Sequence, residues 1–418
     1  MIGVGISAGL TGAKRPRSIQ DPLPALDLDW ATDRSLPAAY GPTPSFSRAS
    51  TGTYFTSSGV LSSAAINGPR FNHVYNGSSW VSKGLLVEEQ RTNTATYSED
   101  FSNGSWIKTT ATISANSSTT PDGTTTADLC YPTSTGTFRG FYKSFSSASV
   151  ATTIFAKSAG KTTFAFIASD GNSVGASFNL SNGTVSNVFS GHTATITPVG
   201  DGWYRCSLSA TTTVLQVFIQ DSQGTSATVT ANSTDGILFW GAQIEAGSFP
   251  TSYIPTTTAA VTRSADVCQI TGGDFSGFWN ASEGSFAVEF DVISENEYQS
   301  SLYLAHQSGS SWIGQRRSTG VGIYFDVYNS NVQQARLTAT MPTAGTLFRS
   351  AGCYKANDFA CSFNGAAVLT DAVGSLPSPT SLAIGNFPAY GEYHNGHIAR
   401  LRYYNSRLTN SKLQELST

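Results

Sequence analysis

A chain of 418 residues exceeds one small core, so two domains are expected, and with only 12% charged residues its surface must be wetted by Ser, Thr, Asn and Gly. A net charge of −3 and a pI near 6.0 leave no electrostatic footprint for nucleic acid. No apolar run reaches the roughly 18 residues of a membrane-spanning helix, and five cysteines without CxxC spacing argue against a disulfide scaffold or a zinc site.

The opening segment, "MIGVGISAGLTGAKRPRS", carries its charges after the mild apolar stretch, the reverse of a signal peptide, and reads as a flexible arm. "KRPRSIQDPLPALDLDW" follows, too punctuated by proline to be a helix. Residues 1–44 are therefore expected to be an attachment arm, ordered by docking onto a partner. Residues 45–95 form a leading β segment, 96–266 a first β-sandwich and 267–418 a second.

From there the texture is period two, cut by Gly, Asn and Asp. "TTIFAKS" and "TFAFIAS" alternate cleanly, and "GASFNLSNGTVSNV" predicts two strands around Asn182-Gly183 in a type I′ turn. In "GWYRCSLSAT", Trp203 and Arg205 share one strand face, Tyr204 and Cys206 the other. "GILFWGAQIEA" closes the first set of strands, with Glu245 capping or pairing locally. The stretch "SFPTSYIPTTTAAVTRSAD", Ser248 to Asp266, is held extended by Pro250 and Pro255 and reads as a strap between the sandwiches. Arg263 and Asp266 read as an exposed pair bridging strap to domain, worth little.

A second set of strands begins after residue 270, with "GSFAVEFDVI", "VGIYFDVYN", "SLAIGNF" and "HIARLRYYNSRL". "LTNSKLQEL" predicts one amphipathic helical turn, capped by Thr409 or Asn410, with Leu413 and Leu416 on one side. The fold class is all-β, two sandwiches behind an extended arm.

"GWYRCSLS" followed by "FWGAQIEAGSFPTSYIPTTTAAVTRSAD" resembles a module of bacteriophage tail-fibre and head-fibre proteins. "SFSRASTGTYFTSSGVLSSAAINGPRFNHV" and "KGLLVEEQRTNTATYSEDF" resemble the leading segment of that family. "FRSAGCYKANDFACSFNGAAV" and the stretch from "LAIGNF" to "LQEL" resemble laminin-G/concanavalin-like jelly rolls. The resemblance covers roughly residues 45–418 and implies a homotrimeric virion fibre, made in bacterial cytoplasm and displayed on the particle. Its arm would contact other capsid or tail proteins. Jelly rolls of this type often hold calcium, but no Asp/Asn-rich loop here supplies enough hard oxygen ligands, and no cofactor is expected.

The chief enzymatic candidate is "EFDVISE". Glu289 and Asp291 fall about 6.7 Å apart on one strand face, with Glu295 roughly 20 Å from Glu289 if the strand continues. Some concanavalin-like glycosidases carry such a trio, but with one residue fewer between the second and third acids. We read an outer-face strand and no catalysis, with a polysaccharide depolymerase as the alternative. His394 and His397 flank a turn without metal-ligand spacing. Cys353 and Cys361 lie on either side of a hairpin and read as free thiols.

Sugars bind by stacking on exposed aromatic rings, with polar side chains meeting their hydroxyls. Trp312 in "SGSSWIGQRR", with Arg316 nearby, is expected in one loop of the second sandwich. Tyr390 and Tyr393 with Asn395 occupy another, and Tyr298 follows the acidic turn. These six residues are the expected carbohydrate site, receiving host surface polysaccharide; the further alternative is a capsid decoration protein that binds no glycan.

Overall fold

The computed structural model describes residues 22–168, 175–224, 227–294, 299–387 and 390–418. It is an all-β protein of two sandwiches, and no helix among the described residues exceeds seven residues.

The first sandwich is one ten-stranded sheet closed over itself. Two long strands, Arg139–Ala159 and Trp203–Gln220, pair along most of their length and change their other neighbours midway. A register shift between Ser144 and Ala148 gives the bend its place. Thr163–Ile167 and Gly236–Ala246 are three strands apart, about 14 Å in a flat sheet. Yet the Phe164 and Phe239 rings meet at 5.3 Å, so the sheet curls until its two ends share a core.

The second sandwich packs an eight-stranded sheet on a seven-stranded one. Rings from the two layers meet directly, Phe286 stacking on Tyr303 at 4.4 Å. The layers come so close that a Cβ at Gly352 would lie 2.7 Å from the Phe325 ring. Two short turns here carry the left-handed backbone a type I′ turn requires: Ser330 and Asn331 at φ 52° and 66°, Asn364 and Gly365 at 45° and 70°. Asn182-Gly183 does not: only Gly183 has positive φ, and the hairpin closes through a four-residue connection. The helix Asn410–Leu416 forms as expected, with Thr409 accepting from the Lys412 N–H and Leu413 buried. A second helix, Gly272–Phe278, gives no amphipathic pattern in the sequence; it inserts Phe275 and Phe278 into the core.

The leading residues differ most from expectation. Residues 22–44 are not an arm. Leu26–Asp29 pairs with the closing strand Gly396–Tyr404, Leu26 opposite Tyr403, and Trp30 is fully buried. Ser45–Ser47 pairs with Val267–Thr271, while Trp80–Val87 pairs with Gly396–Tyr404 and carries Phe71–Tyr75 outside it. Alternating apolar residues in "LDLDW" supply the reason: Leu26, Leu28 and Trp30 all enter the second core. The leading segment is thus part of the second sandwich. The first is an insertion into it, entered and left through the two-stranded neck Arg91–Asn93 and Val261–Arg263.

That neck is clamped by buried charge. Asp266 accepts from Arg48 Nη1 at 3.0 Å, Arg70 Nη2 at 2.5 Å and the Glu88 N–H at 2.9 Å. Glu88 meets Arg70 at 2.7 Å and Arg263 at 3.5 Å, and accepts twice from Ser252. Arg263 and Asp266, expected exposed, are 1% and 0% accessible. Burial alone would raise the Glu88 pKa, but Arg263 and Arg70 hold it well below the usual carboxylate range.

Candidate functional site

A cavity of about 610 Å³ opens between the two sandwiches. One wall is the outer face of the first. Thr193, Thr195 and Thr197 alternate along the edge strand Thr193–Pro198, all exposed on one side. Across the next strand they face Ser209, Ser207 and Arg205, and beyond these Ala151, Thr153 and Phe155. The result is a ladder of hydroxyls roughly 6.8 Å apart along a strand and about 4.8 Å apart across strands. Thr195 and Ser207 hydroxyls bond to each other at 2.6 Å.

The opposite wall is aromatic and comes from the leading segment. Trp80 packs against Phe55 at 4.8 Å and Tyr75 at 5.5 Å between ring centroids. Its indole reaches across the joint: a Cβ at Gly59 would lie 2.3 Å from Trp80 Nε1, and one at Gly200, in the first sandwich, 3.4 Å from its ring. The strap supplies a third side with Phe249 to Tyr253. It is anchored by Thr53 donating to the Tyr253 carbonyl at 2.5 Å and by Thr251, which donates its N–H and hydroxyl to Glu245. His397 and the 344–345 turn close the far end.

Hydroxyls that both donate and accept, opposed by half-exposed rings, suit a polyol with C–H faces. Both acids of the enzymatic candidate strand are engaged by cations. Glu289 pairs with Arg349 at 3.1 Å and Arg402 at 3.6 Å, and buried Asp291 pairs with His397 at 2.6 Å and Lys83 at 3.0 Å. Burial would raise the Asp291 pKa, but His397 and Lys83 outweigh it and hold the carboxyl low. Glu295 lies outside the described residues. Among the described residues no group of three His, Cys, Asp or Glu is placed to hold a metal. Nor is any helix among them long and apolar enough to cross a membrane.

Of the six residues expected to read carbohydrate, the five that are described do not gather into one exposed surface. Trp312 and Arg316 are not in a loop. The Gly/Ser-rich run is the strand Ser311–Ser318, and both side chains are buried on its outer face. Trp312 stacks on Tyr328 at 4.4 Å and donates Nε1 to Asp326. Arg316 sits 5.1 Å over the Trp312 ring, its guanidinium bonded to Glu392 and near Asp326. Tyr390 joins this group at 6.4 Å from Trp312 and is 54% exposed, with its hydroxyl on the Gly309 carbonyl. Asn395 is buried and accepts from the Glu89 N–H, and Tyr393 pairs with Asn386 in a short two-stranded ladder. Tyr298 lies outside the described residues.

The cleft was missed because three distant segments build it. One local signal was available: "TATITP" and "RCSLSA" alternate hydroxyl or charged residues with apolar ones, which marks a polar strand face.

No protein-family model matches the chain, and no curated protein does. Solved structures match parts of it. A Ruminococcus gnavus IT-sialidase CBM40 bound to alpha2,3 sialyllactose aligns at 14% identity over 35% of this chain and 88% of that one, with a TM-score of 0.30. Domain 4 of AbnA, a GH43 extracellular arabinanase from Geobacillus stearothermophilus in complex with arabinotriose, aligns at 15% over 41% and 83%, TM-score 0.30. A heptameric SAP-like pentraxin from Limulus polyphemus aligns at 9% over 33% and 70%, TM-score 0.26.

Proposed function

We propose that the chain is a non-catalytic, glycan-binding fibre or spike subunit of a bacteriophage or phage-like particle, assembled as a homotrimer and adsorbing to host surface polysaccharide. One observation carries the binding half of this reading: the cleft that sets the Thr193–Thr195–Thr197 hydroxyl ladder opposite Trp80, Phe55 and Tyr75. Uncharged hydroxyls bind weakly one at a time, so a fibre gains avidity from linked copies. The ion pairs that occupy Glu289 and Asp291 favour a binding over a hydrolytic role. Attachment to the particle falls, in this reading, to residues 1–21, which precede the strand docked at Leu26.

The test is binding of the purified protein to bacterial cells and to their isolated surface polysaccharide, beside Thr195→Trp. Thr195 is exposed on an edge strand, so the indole plugs the cleft without entering a core. Binding that vanishes when polysaccharide is stripped from the cells, and in T195W, supports the reading. Equal binding by T195W, with loss in Tyr390→Ala, moves the site to the Trp312 group. A folded oligomer that binds no glycan points to a capsid decoration protein instead. Release of reducing sugar, abolished by Glu289→Gln, identifies a depolymerase.

A further inference from the structure

We infer that the cleft selects saccharides carrying a carboxylate, and that Arg205 is the residue that reads it. The inference rests on the glycan-binding reading above and adds the chemical class of the ligand. Arg205 lies on the cleft face between Thr197 and Phe155 in the cross-strand register. Its guanidinium stands 5.7 Å over the Phe155 ring, and Nη2 donates to the Thr251 carbonyl at 2.6 Å and to Thr153 Oγ1 at 3.3 Å. Nε is sealed from solvent without an acceptor. Among the described residues Nη1 also has no acceptor; unlike Nε it is not sealed, and it belongs to a residue that lines the cavity.

No carboxylate among the described residues comes within ion-pair distance of this guanidinium, whereas Arg48, Arg70, Arg263 and Arg316 each have one. The two acids near enough to act on it through space are committed elsewhere. Glu88 is held by Arg70, Arg263 and Ser252, and Glu245 by the N–H and hydroxyl of Thr251. Around the neck, four guanidinium groups (Arg48, Arg70, Arg205, Arg263) face three carboxyls (Glu88, Glu245, Asp266), leaving the region one positive charge in excess if all are ionised. Burial pulls the Arg205 pKa down and the attraction of Glu245 and Glu88 opposes it; a guanidinium nonetheless stays charged at neutral pH. Arg205 is half-buried and has no carboxylate partner among the described residues, and an incoming carboxylate would offset the cost of its partial desolvation. Because Nε is sealed, the contact runs through Nη1 alone; Thr197, the cross-strand neighbour of Arg205, and Thr195 two residues along line the same cavity and offer hydroxyls for the rest of the sugar.

The probe is an array of uronate- and sialate-bearing oligosaccharides, each paired with its methyl ester, which keeps the shape and removes the charge. For the whole chain we expect the acids to bind about tenfold to a hundredfold tighter than their esters, the worth of one hydrogen bond to a charged group. In Arg205→Gln that gap closes, the acids binding no more tightly than their esters. Arg205→Lys, which keeps a point charge, serves if the Gln variant fails to fold, and its gap should shrink. Acids and esters bound alike by the unaltered chain, or a gap undiminished in either variant, overturn the carboxylate inference and leave the glycan-binding cleft standing. No binding to any member by folded protein removes both.

Discussion

Replacing Asp266 with Asn tests whether the neck clamp holds the two sandwiches together. The substitution keeps the shape and removes the charge that Arg48 and Arg70 share, all three side chains being fully buried. Arg70 retains Glu88, but Arg48 loses its carboxylate, and an amide nitrogen placed among guanidinium donors adds repulsion. Leaving one buried partner uncompensated costs about 3–5 kcal/mol. At roughly 2–4 °C per kcal/mol for a unit of 150–250 residues, the melting temperature should fall by about 6–20 °C. Urea unfolding of D266N, Arg48→Met and the double variant forms a cycle. The charge-balanced double should recover roughly 0.5–3 kcal/mol relative to the sum of the singles. A D266N loss below about 1 kcal/mol, or strict additivity, would refute the claim that this network secures the neck.

Four further outcomes follow from the same geometry. Gly84→Ala should cost about 2–4 kcal/mol by chemical denaturation, because Gly84 has φ +90° and a Cβ there would lie 2.3 Å from the Ile398 carbonyl oxygen; likewise residues 267–418 expressed without the leading strands should show no cooperative unfolding. Stability should decline as pH falls from about 6.5, since burial lowers the pKa of His73, His192, His306 and His394, the last to about 3. The unfolded chain takes up those protons first, and the loss steepens below about pH 4, where Glu88 and Asp291, held low by their cationic partners, also matter; His394→Gln should flatten the upper part of the melting-temperature profile. All five thiols are buried, Cys353 pushed up to about 11, so a disulfide reagent at pH 8 should find none reactive until the chain unfolds.

Local pattern carried the strands and the Thr409 cap, because each depends on residues within a few positions of one another. The clamp was not legible for the opposite reason. Arg263 and Asp266 look like a surface pair until Arg48, Arg70 and Glu88 arrive from some 180–220 positions away. Trp312 was misplaced because Gly and Ser around it suggested a loop. In this chain strand faces are themselves Ser- and Gly-rich, and the ring is satisfied by Tyr328 and Asp326 on the neighbouring strand. The alternation in "TATITP" was visible, but what opposes it is a hairpin and strap whose positions only the tertiary fold sets.

The pairing of Leu26 with Tyr403 also sets a timetable. Translation at about 5–20 residues per second separates those two residues by roughly 20–75 s. The inserted sandwich, whose strands all lie between Ile107 and Ala246, can close during that interval. Leu26, Leu28 and Trp30 cannot bury their apolar faces until Gly396–Tyr404 emerges. The second sandwich is therefore completed only once residues 396–404 have been made, and its earliest-made strands wait longest, open to pairing with the wrong edge or with another chain. Slow growth temperatures or a holding chaperone should raise the yield of folded protein more than any change to the inserted domain.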